Sequence, residues 1–261
     1  MVGISLKGKV ITITGAAKGI GKAAAIKLAE AGADIAVSDI DFENVKAVAE
    51  EIKSFGVRSL AMKCNVSDPK EVNKMVDDTV RGLGKLDIMV NNAGVNYTKF
   101  FMLTTLEEFR RMIDINLIGV FNCCQAGLKY MYPKKEGNII NLSSLTGRQG
   151  MPLLSGYSAT KFGIVGLTQS ISREMANFNI RANCVCPGVV RTEMWENTLI
   201  NMEKEVKFNR DTFWKNQIAQ IPLKRPQTCD DIANAILFLA SDLSKEITGQ
   251  SLGINGGQIT I

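Results

Sequence analysis

The sequence predicts an α/β domain of the doubly wound type, one parallel sheet of about seven strands with helices on both faces. Three observations predict it. Apolar runs of strand length alternate with longer segments of helical period from one end of the chain to the other. The first such run, Val10-Ile11-Thr12-Ile13-Thr14, is β-branched throughout, as a strand buried on both faces should be. No linker, repeat or shift in composition divides the 261 residues, so residues 1–261 read as a single domain.

Taken in order, Val10–Thr14 leads into a helix over 20–31, whose small and apolar residues recur at helical spacing and which Gly32 ends. Further strands are expected at 34–38, 60–64, 86–90, 138–142 and 181–185, with a short last one at 251–254. Helices are expected between them at 43–55, 69–82, 106–130, 157–177 and 230–240. Residues 191–222 break the rhythm. They are rich in Glu, Asn and Lys, carry Trp195, Phe208, Phe213 and Trp214, and directly follow the carboxyl end of a strand. Ligands of open parallel sheets bind on that side, so this stretch is expected to be a substrate lid.

Composition excludes several classes. The net charge of +5 is modest and its lysines are scattered, so no nucleic-acid partner is expected. Cys184-Val185-Cys186 has the wrong spacing for a zinc knuckle, and the chain has no histidine to complete a mixed site, so no metal is expected. The six cysteines read as reduced thiols of a cytoplasmic protein. The N-terminal MVGISLKGKV lacks a signal-peptide apolar region, and no apolar run reaches the ~18 residues that would span a membrane.

Thr14-Gly15-Ala16-Ala17-Lys18-Gly19-Ile20-Gly21 joins the first strand to the first helix. Glycines at such a junction permit a tight turn and let backbone N–H groups approach a pyrophosphate at the positive end of the helix. Asp39 ends the second strand, where a carboxylate accepts hydrogen bonds from an adenosine ribose and repels a 2′-phosphate. NAD is therefore expected rather than NADP. Lys18 pulls the other way, since it could pair with such a phosphate, but it must first overcome Asp39. Asp41 is read as the cap of the next helix.

With no histidine, proton transfer needs another side chain. Ser155 to Gly163 reads SGYSATKFG, and Lys161 lies one helical turn beyond Tyr157, on the same face. A phenol has a free pKa near ~10 and serves as an acid or base at neutral pH only when nearby positive charge favours its phenolate. Tyr130 and Lys134 repeat the spacing, but Pro133 is expected to break or end their helix, which leaves Tyr130 as packing. Ser144, at the carboxyl end of the strand at 138–142, is placed to polarise the same substrate oxygen. Ser143 is its rival, and alternation along an extended segment lets only one of the two face the cleft. Asn116 interrupts an apolar stretch. It is either a buried amide satisfied by backbone, or a residue that kinks the helix and holds a water for proton relay to Lys161.

These pieces, in order, resemble the short-chain dehydrogenase/reductase family: TGAAKGIG at 14–21, Asp39, Asn65-Val66, NNAG at 91–94, Asn116, Ser144, YSATK at 157–161, PGVVRT at 187–192 and TGQSLGINGG at 248–257. The resemblance implies a Rossmann-like fold and a catalytic set of Asn116, Ser144, Tyr157 and Lys161. It further implies that Gly15, Lys18, Gly19, Ile20 and Gly21 hold the pyrophosphate side of NAD, with Asp39 and Ile40 at the ribose and Asn65 and Val66 at the adenine. Asn92, Ala93 and Gly94 would line the cofactor cleft. Pro187, Gly188, Val190 and Thr192 would meet the nicotinamide, beside Tyr157 and Lys161. Position 65 is often aspartate in the family; asparagine keeps an acceptor and removes a charge.

Within the family, KFGIVGLTQ, CPGVVRTEMWE and PLKRPQTCDDIANAILFLASD resemble polyol and acyloin dehydrogenases. Hydroxysteroid dehydrogenases and 3-oxoacyl carrier-protein reductases are the competitors, and the latter usually prefer NADP. The expectation is an oxidoreductase moving hydride between NAD(H) and a secondary alcohol or ketone, most simply a polyol, sugar alcohol or acyloin, in a homotetramer or homodimer. A nucleotide-sensing scaffold is the non-enzymatic alternative, which an intact catalytic set argues against. Val95, Asn96, Ser144, Leu145, Gln149, Met194 and Trp195 are expected to shape the substrate pocket, with Lys99 or Arg148 the candidates for a substrate phosphate.

Overall fold

The computed structural model describes residues 3–205 and 209–260, so Phe208 lies outside the described residues. Among the described residues seven parallel strands form one sheet: β1 (Val10–Thr14), β2 (Asp34–Asp39), β3 (Ser59–Lys63), β4 (Ile88–Asn91), β5 (Gly137–Leu142), β6 (Ile180–Pro187) and β7 (Ser251–Ile254). Their spatial order is β3-β2-β1-β4-β5-β6-β7. The chain winds outward from β1 in one direction and then restarts at β4 in the other. The first helices after each half therefore diverge and open a crevice at the carboxyl ends of β1 and β4.

The helices are α1 (Gly19–Glu30), α2 (Phe42–Lys53), α3 (Pro69–Leu83), α4 (Leu106–Met112), α5 (Gly119–Lys134), α6 (Ser155–Met175), α7 (Glu193–Glu205), α8 (Arg210–Ala219) and α9 (Cys229–Ala240). Successive residues of a strand point to opposite faces, and here both faces are apolar. Ile11, Ile13, Ile35, Val37, Val90 and Ile140 pack on one side with α1, α2 and α9. Met89, Ile139 and Ala182 pack on the other with α3, α5 and α6. Asp41 caps α2 by accepting from Asn44 N–H, and Asp68 does the same for α3 through Lys70 N–H ahead of Pro69 at its first turn.

Most predicted boundaries fall within two residues of the observed ones. Two expectations need correcting. The stretch 106–130 is not one helix: a π-helical turn, Ile113–Ile118, separates α4 from α5. Pro133 does not end α5. The helix runs on to Lys134, because a proline in the last turn forfeits a single backbone hydrogen bond, and Lys135 in the left-handed conformation (φ 52°) makes the stop. The described part of 191–222 is helical, as α7 and α8, and Trp195, Phe213 and Trp214 join those two helices through ring centroids 6.2 Å apart. No helix among the described residues is long and apolar enough to cross a membrane. All six cysteines are free thiols.

Candidate active site

A cavity of about 1180 Å³ runs along the crevice from the glycine loop to α7 and α8. Its first end is built where β1 turns into α1. Gly15 and Gly19 have φ of 66° and 59°, a region open to glycine without strain. A Cβ on Gly15 would lie 2.7 Å from Ala93 Cα, and one on Gly21 would collide with the Gly15 carbonyl oxygen and reach within 2.5 Å of Asn92 Nδ2. Asn92 Nδ2 donates to the carbonyls of Thr14 (3.0 Å) and Gly15 (2.8 Å), which holds the loop in a cradle open at the first turn of α1. Gly21 itself is buried behind that cradle and does not line the cavity; it acts by letting the loop close on α1.

Asp39 sits at the end of β2 beside this cradle. One carboxylate oxygen accepts from Ala17 N–H (3.1 Å) and the other from Asp41 N–H (3.1 Å), so the group is fixed in place with lone pairs to spare. Lys18 Nζ is 2.8 Å from Glu193 Oε1 of α7, an ion pair that spans the mouth of the crevice. Ile40 is exposed on the rim, and Asn65 uses its carboxamide oxygen on Ser67 N–H and Oγ, a local turn. Val66 is buried against Gly119.

The other end carries the titratable pair. Tyr157 enters α6 at its third residue, and Lys161 Nζ lies 5.4 Å from the centre of its ring. The Tyr157 ring is half-buried by exposed area, yet the walls enclose its phenol, and that burial pushes its pKa up to about 12 against the opposing hydrogen bond from Ser144. Lys161 is buried, and burial pulls its ammonium down to about 8, opposed by the thiols Cys186 and Cys184. Its Nζ donates to Leu142 O at 2.7 Å. Ser144 lies in extended backbone and lines the cavity, with Oγ accepting from Thr146 N–H at 3.1 Å. Ser143 turns inward, and its Oγ donates to Lys161 O at 2.9 Å. Both residues touch the cavity, Ser144 half-buried and Ser143 buried, and it is the Ser143 hydroxyl that is spent as a strut on α6.

Asn116 is fully buried in the π-helical turn and does not line the cavity. Its Oδ1 accepts from Val95 N–H at 2.8 Å, and its Nδ2 donates to Val95 O at 2.9 Å and to Thr160 Oγ1 at 3.2 Å. The amide is satisfied mostly by backbone, as the first alternative requires, and the π-helical turn in which it sits interrupts the helix, as the second requires. The side chain ties the strand leaving β4 to α6, the helix that carries Tyr157 and Lys161. Pro187, Gly188, Val190 and Thr192 line the wall opposite, and Thr192 Oγ1 accepts from Trp195 N–H (3.4 Å) where α7 begins.

Val95, Asn96, Leu145, Met194 and Trp195 line the cavity as expected. Gln149 does not. The 3-10 turn Leu145–Gly147 reverses the chain after Ser144 and leaves Gln149 exposed outside the walls. Neither phosphate candidate lines the cavity: Lys99 Nζ pairs with Glu108 Oε1 at 2.6 Å, and the Arg148 guanidinium lies beside Gly253 of β7. Tyr130 is likewise no catalyst. Its hydroxyl donates to Asp77 Oδ1 at 2.6 Å, away from the cavity. Residues missed in the sequence include Leu106, Met151, Leu153 and Leu154 at the substrate end, while Phe213 and Gln217 of α8 line the cavity from within the stretch 191–222 read as a lid. They reach the site by tertiary packing, and nothing in their spacing marks them. Among the described residues no cluster of acids and cysteines is arranged to hold a metal.

A doubly wound sheet with a glycine cradle at one end of its crevice and a tyrosine–lysine pair at the other defines a dinucleotide-dependent oxidoreductase. The family model described as enoyl-(acyl carrier protein) reductase matches residues 15–258. The chain is 42% identical over 246 residues to the 3-oxoacyl-(acyl-carrier-protein) reductase FabG of Staphylococcus aureus strain Mu50, covering 94% of this chain and 96% of that one. Among solved structures it is similar to an NAD+-bound xylitol dehydrogenase (TM-score 0.92, 30% identity, 96% of this chain and 99% of that one). It is also similar to a levodione reductase (TM-score 0.91, 32% identity, 97% and 98%). The chain belongs to the short-chain dehydrogenase/reductase family.

Proposed function

We propose that this protein interconverts a secondary alcohol and its ketone with NAD(H), Tyr157 exchanging the proton. The observation that carries the reading is the convergence of Ser144, Tyr157 and Lys161 on one wall of a crevice whose far end holds Asp39. Gly15, Gly19 and Ile20 would take the pyrophosphate, Asp39 the adenosine ribose, and Pro187 to Thr192 the nicotinamide side. The dinucleotide, when bound, supplies the hydride acceptor or donor and, when oxidised, a positive charge beside Tyr157.

In reduction, the Tyr157 hydroxyl donates its proton to the carbonyl oxygen, which Ser144 Oγ also binds; in oxidation, the phenolate takes the alcohol's proton. Lys161 favours that phenolate, and its own position is set by Leu142 O and by the helix that Asn116 ties down. The preference for NAD rests on the ends of β2 and α7. A 2′-phosphate would face Asp39, and the one cation in the glycine loop, Lys18, is engaged by Glu193.

The substrate read from the sequence is a polyol or acyloin, and the similarity to an NAD+-bound xylitol dehydrogenase supports it. A second reading, reduction of a 3-oxoacyl compound, is favoured by the relatives named for that activity and by the apolar walls at Val95, Leu145, Met151, Leu154 and Met194. A spectrophotometric screen separates them: NAD+ with xylitol, sorbitol and 2,3-butanediol against NADH or NADPH with ethyl 3-oxobutanoate. Tyr157→Phe is expected to lower turnover of whichever substrate is used by about 10²–10⁴-fold while NADH still binds, read by its fluorescence. Near-normal turnover would remove Tyr157 from the chemistry. The free thiols fit a cytoplasmic enzyme, and the exposed apolar side chains Ile118, Phe121 and Phe162 on α5, α6 and the turn before α5 support a homo-oligomer.

A further inference from the structure

Four non-glycine residues among those described have positive φ: Lys135, Leu153, Asn179 and Lys224. Lys135 and Asn179 end helices, where the left-handed conformation is the ordinary stop, and Lys224 is an exposed residue whose N–H closes a turn on Ile221 O. Leu153 ends nothing. It occupies the third place of a four-residue turn, Met151-Pro152-Leu153-Leu154, closed by Leu154 N–H donating to Met151 O at 3.2 Å. Proline at the second place and φ of 67° at the third make this a type II turn, in which the third place belongs to glycine or asparagine. A branched aliphatic residue there is strained at its backbone, and such strain persists where the side chain is needed.

The side chain is neither in the core nor in solvent. Leu153 is half-buried and lines the crevice beside Met151 and Leu154, immediately before the helix that carries Tyr157. Its carbonyl accepts from Lys99 N–H at 3.0 Å, so the turn is tied to the chain that leaves β4 past Val95 and Asn96, which line the same cavity. The turn can therefore not relax outward without losing that bond.

We propose that Leu153 is a specificity-determining residue: its side chain, held over the substrate end of the crevice by a turn that would prefer glycine, limits the size of the group flanking the reacting carbonyl. The inference rests on the ketoreductase reading of the site. It assigns the protein a compact substrate, a carbonyl compound with a short chain on the side facing the turn.

The test uses the full chain with NADH and three probes of rising length, ethyl 3-oxobutanoate, ethyl 3-oxohexanoate and ethyl 3-oxooctanoate, on Leu153→Gly and Leu153→Ala. Both variants remove the same bulk beyond Cβ, but only glycine relieves the backbone. Both are expected to raise the ratio of kcat/KM for the longest probe to that for the shortest by about tenfold or more, the scale on which apolar pockets sort methylenes. Leu153→Gly is expected to melt about 2–4 °C above Leu153→Ala. An unchanged ratio in both variants overturns the proposal. So does a ratio that moves in the glycine variant alone, because loop mobility and not side-chain bulk would then be responsible. Should the wild type reduce none of the probes, the ketoreductase reading is what fails and the inference falls with it; should it reduce them while the two variants melt equally, or both collapse, Leu153 is an ordinary packing residue and the inference alone fails.

Discussion

Tyr157 and Lys161 stand one helical turn apart in α6, and burial moves their proton affinities in opposite directions, the phenol up to about 12 and the ammonium down to about 8. The same desolvation acts on both; the sign differs because the phenol is neutral when protonated and the lysine is charged. A consequence for stability follows. Lys161 binds its proton less tightly folded than unfolded, so the cost of a buried cation is fully present below pH 8 and is relieved as pH rises from about 8 toward the ordinary lysine value of 10.5. Tyr157 works the other way above pH 10, where its raised affinity makes folding less favourable as pH climbs toward 12. Measured by urea unfolding from pH 7 to 10, the stability of the wild type relative to Lys161→Met is expected to rise with pH. A flat difference would mean that the lysine is charged to the same extent in both states.

At the scale of elements, the π-helical turn between α4 and α5 decides where Asn116 points. One extra residue in a turn rotates the helix, and Asn116 is carried from an apolar stretch into contact with both the strand exit at Val95 and α6 at Thr160. The amide satisfies both the N–H and the carbonyl of Val95. Asn116→Ala leaves those groups unpaired and is expected to destabilise the fold by about 1–3 kcal/mol, read as the urea midpoint, with Tyr157 activity falling as α6 loses its tie. A variant as stable as the wild type would show that the turn is held by packing alone. The pair α7 and α8 is a second case in which an element does what its sequence did not announce. A polar, aromatic-bearing stretch with little apolar periodicity becomes helical because Trp195, Phe213 and Trp214 pack on each other, and Glu193 anchors the first of these helices to Lys18 across the crevice.

For the molecule as a whole, the exposed faces of α5 and α6 leave Ile118, Phe121 and Phe162 at 41%, 47% and 46% exposure, large apolar groups on the side of the sheet away from α1. A second copy covering them would account for all three. The double variant Phe121→Lys with Phe162→Lys is expected to shift the chain to a smaller species in sedimentation velocity while leaving its circular dichroism unchanged. A wild-type chain that sediments as a monomer would dismiss the homo-oligomer.

Much of this was legible in the residues. Binary alternation placed the strands because an apolar run buried on both faces has few other uses, and the glycine loop, Asp39, Tyr157 and Lys161 were legible because each needs a particular residue type at a particular junction. Strand alternation set Ser144 against Ser143 without choosing between them, and the family resemblance made the choice. What could not be read was anything set by distance in space: that Gln149 leaves the crevice at a 3-10 turn, that Lys99 and Arg148 lie off its walls, that Lys18 meets Glu193, or that Leu153 lines the site. The sequence by itself determined the sheet, the order of its chemistry along the chain and the family, because these depend on local periodicity and on residues that chemistry does not let vary. Only the tertiary structure decided which side chains wall the substrate end, because those come from the turn before α6, from α4 and from two helices near the chain's end, and only packing brings them together.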